Sequence, residues 1–183
     1  MEQPVDSRGT PRRIYETPGP VSSGSWSPDD SLLAFSKYGV AVVDADGKPV
    51  VETFPGFMPD FSPDGNWLVY SGDQAGVYET IVRSWPEKDH VYSIQSEGGI
   101  EALWVANGEL FWRLGDRWYG VRTTTTGDTF EWTQPELAFE IPFLATPGRS
   151  YAVTSDGQRL YTIVQAEADV TDRIHVVSGI GGR

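Results

Sequence analysis

The chain has 183 residues, and its 26 Asp and Glu against 14 Lys and Arg give a formal net charge of −12 at pH 7. An acidic surface repels phosphate, so nucleic acid is not an expected partner. A hydrophobic content of 39% with 7 Trp, 8 Tyr and 8 Phe is enough for the core of a single folded domain. Because 20 Gly and 13 Pro interrupt the chain, long helices have little room and an all-β fold is favoured.

The absence of cysteine excludes disulfide frameworks, thiolate metal sites and cysteine nucleophiles. No uncharged apolar stretch approaches the roughly 18 residues of a membrane span, and no signal-type apolar run occurs near the N-terminus. We therefore expect no membrane insertion. The sequence does not indicate a compartment, and an extracytoplasmic location stays open if the chain is part of a larger exported protein.

A repeated pattern organises the chain. Residues 25–36 (SWSPDDSLLAFS) match residues 60–71 (DFSPDGNWLVYS), and weaker copies occupy 103–112 and 152–161. Aligned on Trp26, Phe61, Trp104 and Val153, the copies are 35, 43 and 49 residues apart, which brackets the length of a four-stranded propeller blade. Each copy places an Asp-Gly, Asn-Gly or Pro-Asp turn between two apolar strands, so each predicts a β-hairpin.

In chain order, the pattern predicts a short strand at 13–17 and then four blades of antiparallel strands in one domain. The blades cover approximately residues 20–54, 57–95, 100–141 and 149–178. The fourth blade supplies only three strands, so we expect residues 13–17 to complete it and close the ring. We expect at least thirteen strands, almost no helix and a polar, mobile connection at 123–133. The expected core positions are Trp26, Phe61, Leu68, Trp104, Leu110 and Tyr161.

No catalytic constellation accompanies this pattern. The kinase loops and the Gly-x-Ser-x-Gly elbow of hydrolases do not occur. The two histidines, His90 and His175, fall at separate predicted strand positions. The recurring Asp29, Asp64, Asn107 and Asp156 are expected to cap their own turns rather than bind a metal. We expect no catalytic residue, no metal and no cofactor.

The motifs Trp26-Ser27-Pro28-Asp29 and Phe61-Ser62-Pro63-Asp64-Gly65, each followed by an apolar strand, resemble TolB-like, WD-repeat-like β-propeller repeats. The second half is most similar to the last blades of bacterial propellers often fused behind serine/threonine kinase domains, through Val82-Arg83-Ser84-Trp85-Pro86 and Ser155-Asp156-Gly157-Gln158-Arg159. Members of the family usually carry six or more blades. The resemblance therefore implies either a small closed ring or part of a larger propeller.

Function in such a fold is expected in the loops, because the strands are committed to packing. The loops between second and third strands and those between blades share one face. The candidate binding residues on this face are Tyr38, Phe57, Asp73, Gln74, Glu97, Asp116, Arg117 and Arg149.

The function predicted from the sequence is a noncatalytic binding or scaffolding module for a protein or peptide partner. Self-association is expected if the ring is open, because bare blade faces would expose apolar side chains. The alternatives are a propeller that binds a small molecule or a sugar and a hydrolase-type propeller enzyme with a site in its funnel.

Overall fold

The computed structural model describes residues 12–74, 76–87, 89–95, 97–142, 144, 146, 148–154, 156–164 and 175–178, with only the backbone described at 23, 74, 95 and 175–178. Fifteen strands and no helix lie in these ranges, so the all-β prediction is confirmed. A helix that could cross a membrane is accordingly not found there.

All strand pairings are antiparallel and form four sheets in chain order. The first sheet contains β1 (Ser22–Trp26), β2 (Leu32–Ser36) and β3 (Val40–Asp44), with residues 49–54 bridged to β3. The second contains β4 (Phe57–Phe61), β5 (Trp67–Gln74), β6 (Val77–Ser84) and β7 (Val91–Gln95). The third contains β8 (Ile100–Trp104), β9 (Glu109–Leu114), β10 (Arg117–Thr126), β11 (Thr129–Trp132) and β12 (Glu136–Glu140). The fourth contains β13 (Tyr151–Val153), β14 (Arg159–Thr162) and β15 (His175–Ser178).

The sheets stack face to face as an arc of a propeller. Strand β1 contacts β4 and β4 contacts β8, so the first strands of the first three sheets run side by side. Three apolar clusters fill the spaces between consecutive sheets. At the middle of each cluster a leucine of the repeat, Leu68, Leu110 or Leu160, faces the preceding sheet and is fully buried. Alternate residues of every strand therefore pack against opposite neighbours.

Four of the six predicted core residues are buried, namely Phe61, Leu68, Trp104 and Leu110. The prediction is wrong for Trp26, which is 41% exposed, and for Tyr161, which is only half-buried. Trp26 lies on the face of the first sheet that points away from the second sheet. Tyr161 lies on the face of the fourth sheet that points away from the third. Both wrong predictions concern the two end sheets of the arc, whose outer faces have no neighbouring sheet among the described residues.

Residues 13–17 do not form the closing strand that the sequence predicted. They cross the outer face of the first sheet as an irregular segment, which we call the strap, residues 12–17. The Tyr15 ring packs on Phe35 at a centroid distance of 5.2 Å, and its hydroxyl lies 3.1 Å from the Lys37 ammonium. Gly47, with a φ of +80°, leaves room for the Ile14 carbonyl, which a Cβ would block. The strap therefore covers the first sheet and does not complete the fourth.

The segment 123–133 is also different from the expected mobile connection. It forms a hairpin of β10 and β11 that extends over the second sheet. Phe130 is buried there, 5.0 Å from the Trp67 ring, 5.9 Å from Tyr92 and 6.2 Å from Trp104. The Thr125 hydroxyl donates to Asp64 Oδ2 at 2.8 Å. The run of threonines is compatible with a strand because β-branched side chains suit extended backbone.

Replacement of Phe130 by alanine tests the packing of the β10–β11 hairpin on the second sheet. Because the ring is almost fully enclosed by aromatic neighbours, Phe130→Ala is expected to cost about 3–5 kcal/mol of unfolding free energy, measured by urea denaturation. Leu137→Ala, on the exposed part of β12 in the same sheet, is the matched control and should change the free energy by less than about 1 kcal/mol. Equal losses for the two variants would contradict the placement of the hairpin.

Candidate functional site

One face of the arc, the loop face, is formed by the turn 37–39, the end of the β5–β6 hairpin at Gly76, the turn 115–116 and the described parts of the connections between sheets. It holds an apolar patch made of Phe57, Tyr78 and Leu114, which we call the loop-face patch. Phe57 and Tyr78 meet edge to face with a centroid distance of 5.0 Å. Leu114 and the Tyr78 carbonyl both border Gly98, where a Cβ would lie 2.9 Å and 3.8 Å from them. The second and third sheets therefore contribute to one continuous surface.

The patch is exposed although its backbone is fixed. Tyr78 is 51% and Leu114 37% exposed, while the backbone of each belongs to a regular strand ladder. Exposed aromatic and aliphatic side chains on an ordered backbone are typical of the centre of a binding surface, because little conformational entropy is lost when a partner covers them.

Three carboxylates surround the patch. Asp73 lies opposite Tyr78 in the ladder, Glu97 precedes Gly98, and Asp116 is in the turn after Leu114; all three are exposed. Arg117, which the sequence analysis placed beside them, donates to Glu140 Oε2 at 3.0 Å and is half-exposed. Its charge is therefore balanced locally, and the surroundings of the patch are acidic.

The other candidate residues lie apart from this patch or beneath it. Tyr38 is 82% exposed in the turn of the first sheet and lies against Gly19. The backbone of Gln74 pairs with Val77 at the end of the β5–β6 hairpin, and its side chain is outside the described part. The Arg149 side chain is only 17% exposed, because it extends toward the first strands of the second and third sheets. Arg149 therefore joins sheets instead of presenting a free guanidinium.

A bulge in the first strand of the second and of the third sheet connects each of them to the sheet before it. Met58 and Glu101 occupy equivalent bulge positions with φ of +53° and +61°. The Met58 N–H donates to Ser36 Oγ at 2.7 Å, and the Glu101 N–H donates to Ser71 Oγ at 3.3 Å. An N–H that the bulge removes from its own ladder is thus satisfied by a serine of the preceding sheet.

The same connection between the third and fourth sheets uses different chemistry. Arg113 stands where Ser36 and Ser71 stand in the earlier copies, and a guanidinium cannot accept a hydrogen bond. Glu101 replaces the missing acceptor. Its Oε2 accepts from the Ser150 N–H at 2.7 Å and from Ser150 Oγ at 2.6 Å, while Oε1 pairs with the Arg113 guanidinium. All three side chains are buried.

Asp60 and Arg149 form a second buried pair close to this one. Asp60 Oδ2 accepts the Trp104 N–H at 2.8 Å, and Oδ1 lies 3.7 Å from Arg149 Nη1. Arg149 Nη2 also donates to the Ala102 carbonyl at 2.8 Å. Burial raises the pKa of Asp60, and the nearby Arg149 charge and the Trp104 N–H offset part of this effect. The two pairs together join the second, third and fourth sheets. Because both pairs are buried and hold sheets together, we assign them a structural role.

The opposite face, where the repeated turns lie, confirms the capping role of the turn aspartates. Asp29 accepts from Ser27 Oγ at 2.6 Å and Asp64 accepts from Ser62 Oγ at 2.6 Å. Asp156 accepts the Gln158 N–H at 3.0 Å. Hydrogen bonds from Ser27 and Ser31 lower the pKa of Asp29, and those from Thr154 and Gln158 lower that of Asp156. No group of three His, Asp or Glu side chains suited to a metal occurs in the described ranges.

A polar cleft of about 510 Å³ also opens on this turn face. The tip of the β10–β11 hairpin at Gly127 and Asp128 forms one wall, and the loop from Trp85 to His90 forms another. Its ionisable side chains Glu87, Asp89, His90 and Asp128 are all exposed to solvent. The arrangement offers no buried base or nucleophile among the described residues.

Sequence reasoning missed Glu101, Arg113 and Asp60. A charged residue within a short apolar strand could have indicated a buried ion pair. Glu101 in IEALW and Arg113 in ELFWRL are examples. The partners could not be inferred because Ser150 and Arg149 are more than forty residues along the chain from Glu101 and Asp60.

Comparisons with known proteins agree with the fold. No protein-family model matches the sequence, and no curated protein matches it. The structure is similar to TolB from Acinetobacter baumannii (TM-score 0.59, 18% identity, 87% of this chain and 41% of that one). It is also similar to a protein of Agrobacterium tumefaciens assigned as TolB (TM-score 0.63, 16% identity, 88% and 62%). A third similar structure is the Cps50 (Swd1) β-propeller domain from Myceliophteria thermophila (TM-score 0.60, 14% identity, 96% and 63%).

The chain therefore has a β-propeller fold of the kind seen in TolB and WD-repeat domains. It spans between 41% and 63% of the length of these three chains, which agrees with four sheets arranged as part of a propeller. At identities of 14–18% the likeness concerns the fold alone.

The role of the buried pair can be tested by Glu101→Gln. Loss of the carboxylate leaves the Arg113 charge buried without compensation, so we expect a loss of about 3–5 kcal/mol of unfolding free energy in urea denaturation. Glu140→Gln, which removes the partner of exposed Arg117, is the matched control and should cost about 0–1 kcal/mol. Adding Arg113→Met to Glu101→Gln should recover part of the loss; a further loss would contradict the pairing.

The titration of Asp60 provides a separate test. NMR observation of the side-chain carboxyl carbon should show a midpoint above that of an ordinary aspartate, and Arg149→Met should raise the midpoint further. Because the folded-state pKa is raised, the contribution of Asp60 to stability is complete below the unfolded-state pKa and declines as pH rises through the folded-state pKa. A midpoint that falls after Arg149→Met would disprove the assigned interaction.

Proposed function

We propose that residues 1–183 act as one noncatalytic β-propeller module that binds a protein or peptide through the loop-face patch. The observation that carries this proposal is the exposure of Tyr78 and Leu114, together with the half-buried Phe57, on strands whose backbone is hydrogen-bonded. Interface centres combine such aromatic and aliphatic anchors with a polar periphery. The sequence motifs of the second half resemble those of propellers often fused behind kinase domains, and a module that presents a binding face to a partner would fit that resemblance.

The charges around the patch favour a basic partner segment. Asp73, Glu97 and Asp116 are exposed, whereas Arg117 and Arg149 are each paired with a carboxylate, Glu140 and Asp60 respectively. The net charge of −12 adds a long-range attraction for cations. A segment with Lys or Arg on either side of an apolar anchor would fill the patch and pair with the carboxylates.

The proposal is tested by selecting peptides from a random library on the immobilised protein and measuring their dissociation constants by fluorescence polarisation. Selected peptides should be rich in Lys and Arg around an apolar residue. Tyr78→Ala should weaken them by about tenfold or more, as expected for an interface anchor. Asp73→Asn combined with Asp116→Asn should reduce the salt dependence of binding.

Val91→Ala is the matched control, because Val91 is 56% exposed on β7, away from the loop-face patch. Unchanged affinity for this variant with loss for Tyr78→Ala supports the assigned surface. Peptides that bind equally well to Tyr78→Ala would exclude the loop-face patch as the binding site. If the selected peptides are acidic or uncharged, the proposed basic partner is wrong. The assignment of the loop-face patch as the binding surface is unaffected by that result.

A further inference from the structure

The two ends of the arc expose apolar positions that the repeat buries elsewhere. Trp26 is 41% exposed, whereas its equivalents Phe61 and Trp104 are 5% and 7% exposed. At the other end Tyr161 is half-buried and Ile163 is 48% exposed. The three residues equivalent to Tyr161 in the earlier copies are all buried: Ala34, Val69 and Phe111.

These two end faces are the two halves of an interface that the chain already uses three times. In each internal interface, the position equivalent to Trp26 faces the preceding sheet, and the position equivalent to Tyr161 faces the following sheet. Phe61 shares a cluster with Ala34, Trp104 with Val69, and Val153 with Phe111. A fourth-sheet face is therefore the kind of surface that fits the outer face of the first sheet, on which Trp26 is exposed and the strap covers the rest.

Within the described residues, the first and fourth sheets share no apolar cluster. The strap covers Phe35, Ala41 and Val43 but leaves Trp26 exposed. Its anchors on the first sheet include an exposed contact, Arg12 Nη1 to Asp46 Oδ1 at 3.2 Å. Exposed pairs of this kind contribute little to stability, and residues 13–17 form no strand ladder with the first sheet, so the strap is held mainly by the packing of Tyr15 on Phe35.

We propose that the end faces bind a second copy of this chain. The first sheet of each copy packs against the fourth sheet of the other, and the strap leaves the first sheet when the copies meet. Two identical head-to-tail contacts related by a two-fold axis close a ring. The ring would contain eight sheets, within the four to about eight blades of known propellers. This interface involves the blade faces and is independent of the loop-face patch.

Analytical ultracentrifugation of the full chain over a wide concentration series tests the proposal. The wild type should reach twice its mass of 20.2 kDa as the concentration rises. Tyr15→Ala, which loosens the strap, should lower the dissociation constant of the dimer. Ile163→Lys should raise it by about tenfold or more, because the new ammonium would be buried in the interface while it stays solvated in the monomer.

Val91→Lys is the control, since it places the same charge on an equally exposed strand residue outside both end faces. Far-UV circular dichroism verifies that each variant is folded. A monomer at every concentration for both the wild type and Tyr15→Ala would overturn the proposal. A dimer that Ile163→Lys leaves unchanged, or growth into open filaments, would overturn it as well.

Discussion

The fold depends on one requirement, that a β-sheet with apolar residues on both faces must be covered on both sides. Every strand of the repeat carries alternating side chains for two neighbours, so one sheet is not stable alone and each sheet provides the surface for the next. The fully buried Leu68, Leu110 and Leu160 show where this requirement is met. The exposed Trp26 shows where it is not.

Packing alone would let neighbouring sheets slide, and the polar contacts between them fix their relative positions. The bulges at Met58 and Glu101 each free one N–H, and the preceding sheet supplies the acceptor from Ser36 or Ser71; before the fourth sheet the Ser150 N–H is accepted by Glu101 in the same way. At the third junction the substitution of serine by Arg113 requires a carboxylate, so two charges are buried together. This junction relies on electrostatic pairing where the others use a neutral hydroxyl.

The sequence predicted the repeat, the strands, the turn capping and the residues that pack within the middle sheets. It could not predict which copies have neighbours, because the repeat assigns Trp26 and Phe61 the same position although only Phe61 is covered. The same limit applies to residues 13–17, whose alternation suits a strand but whose partner is decided by tertiary contacts. In the candidate site, local turn signals located Phe57, Asp73 and Asp116 on one face. The exposure of Tyr78 and the burial of Arg149 depend on long-range packing that local patterns do not encode.

The central claim is that a backbone amide in or just before the first strand of each later sheet, at Met58, Glu101 or Ser150, joins that sheet to a side chain of the preceding sheet. Native-state hydrogen exchange measured by NMR tests this claim most directly. The account predicts that the amides of Met58, Glu101 and Ser150 are protected to the same degree as the ladder amides of β5 and β9, because each donates to a neighbouring sheet. Exchange of these three amides at the rate of exposed turns, with the ladders still protected, would contradict it.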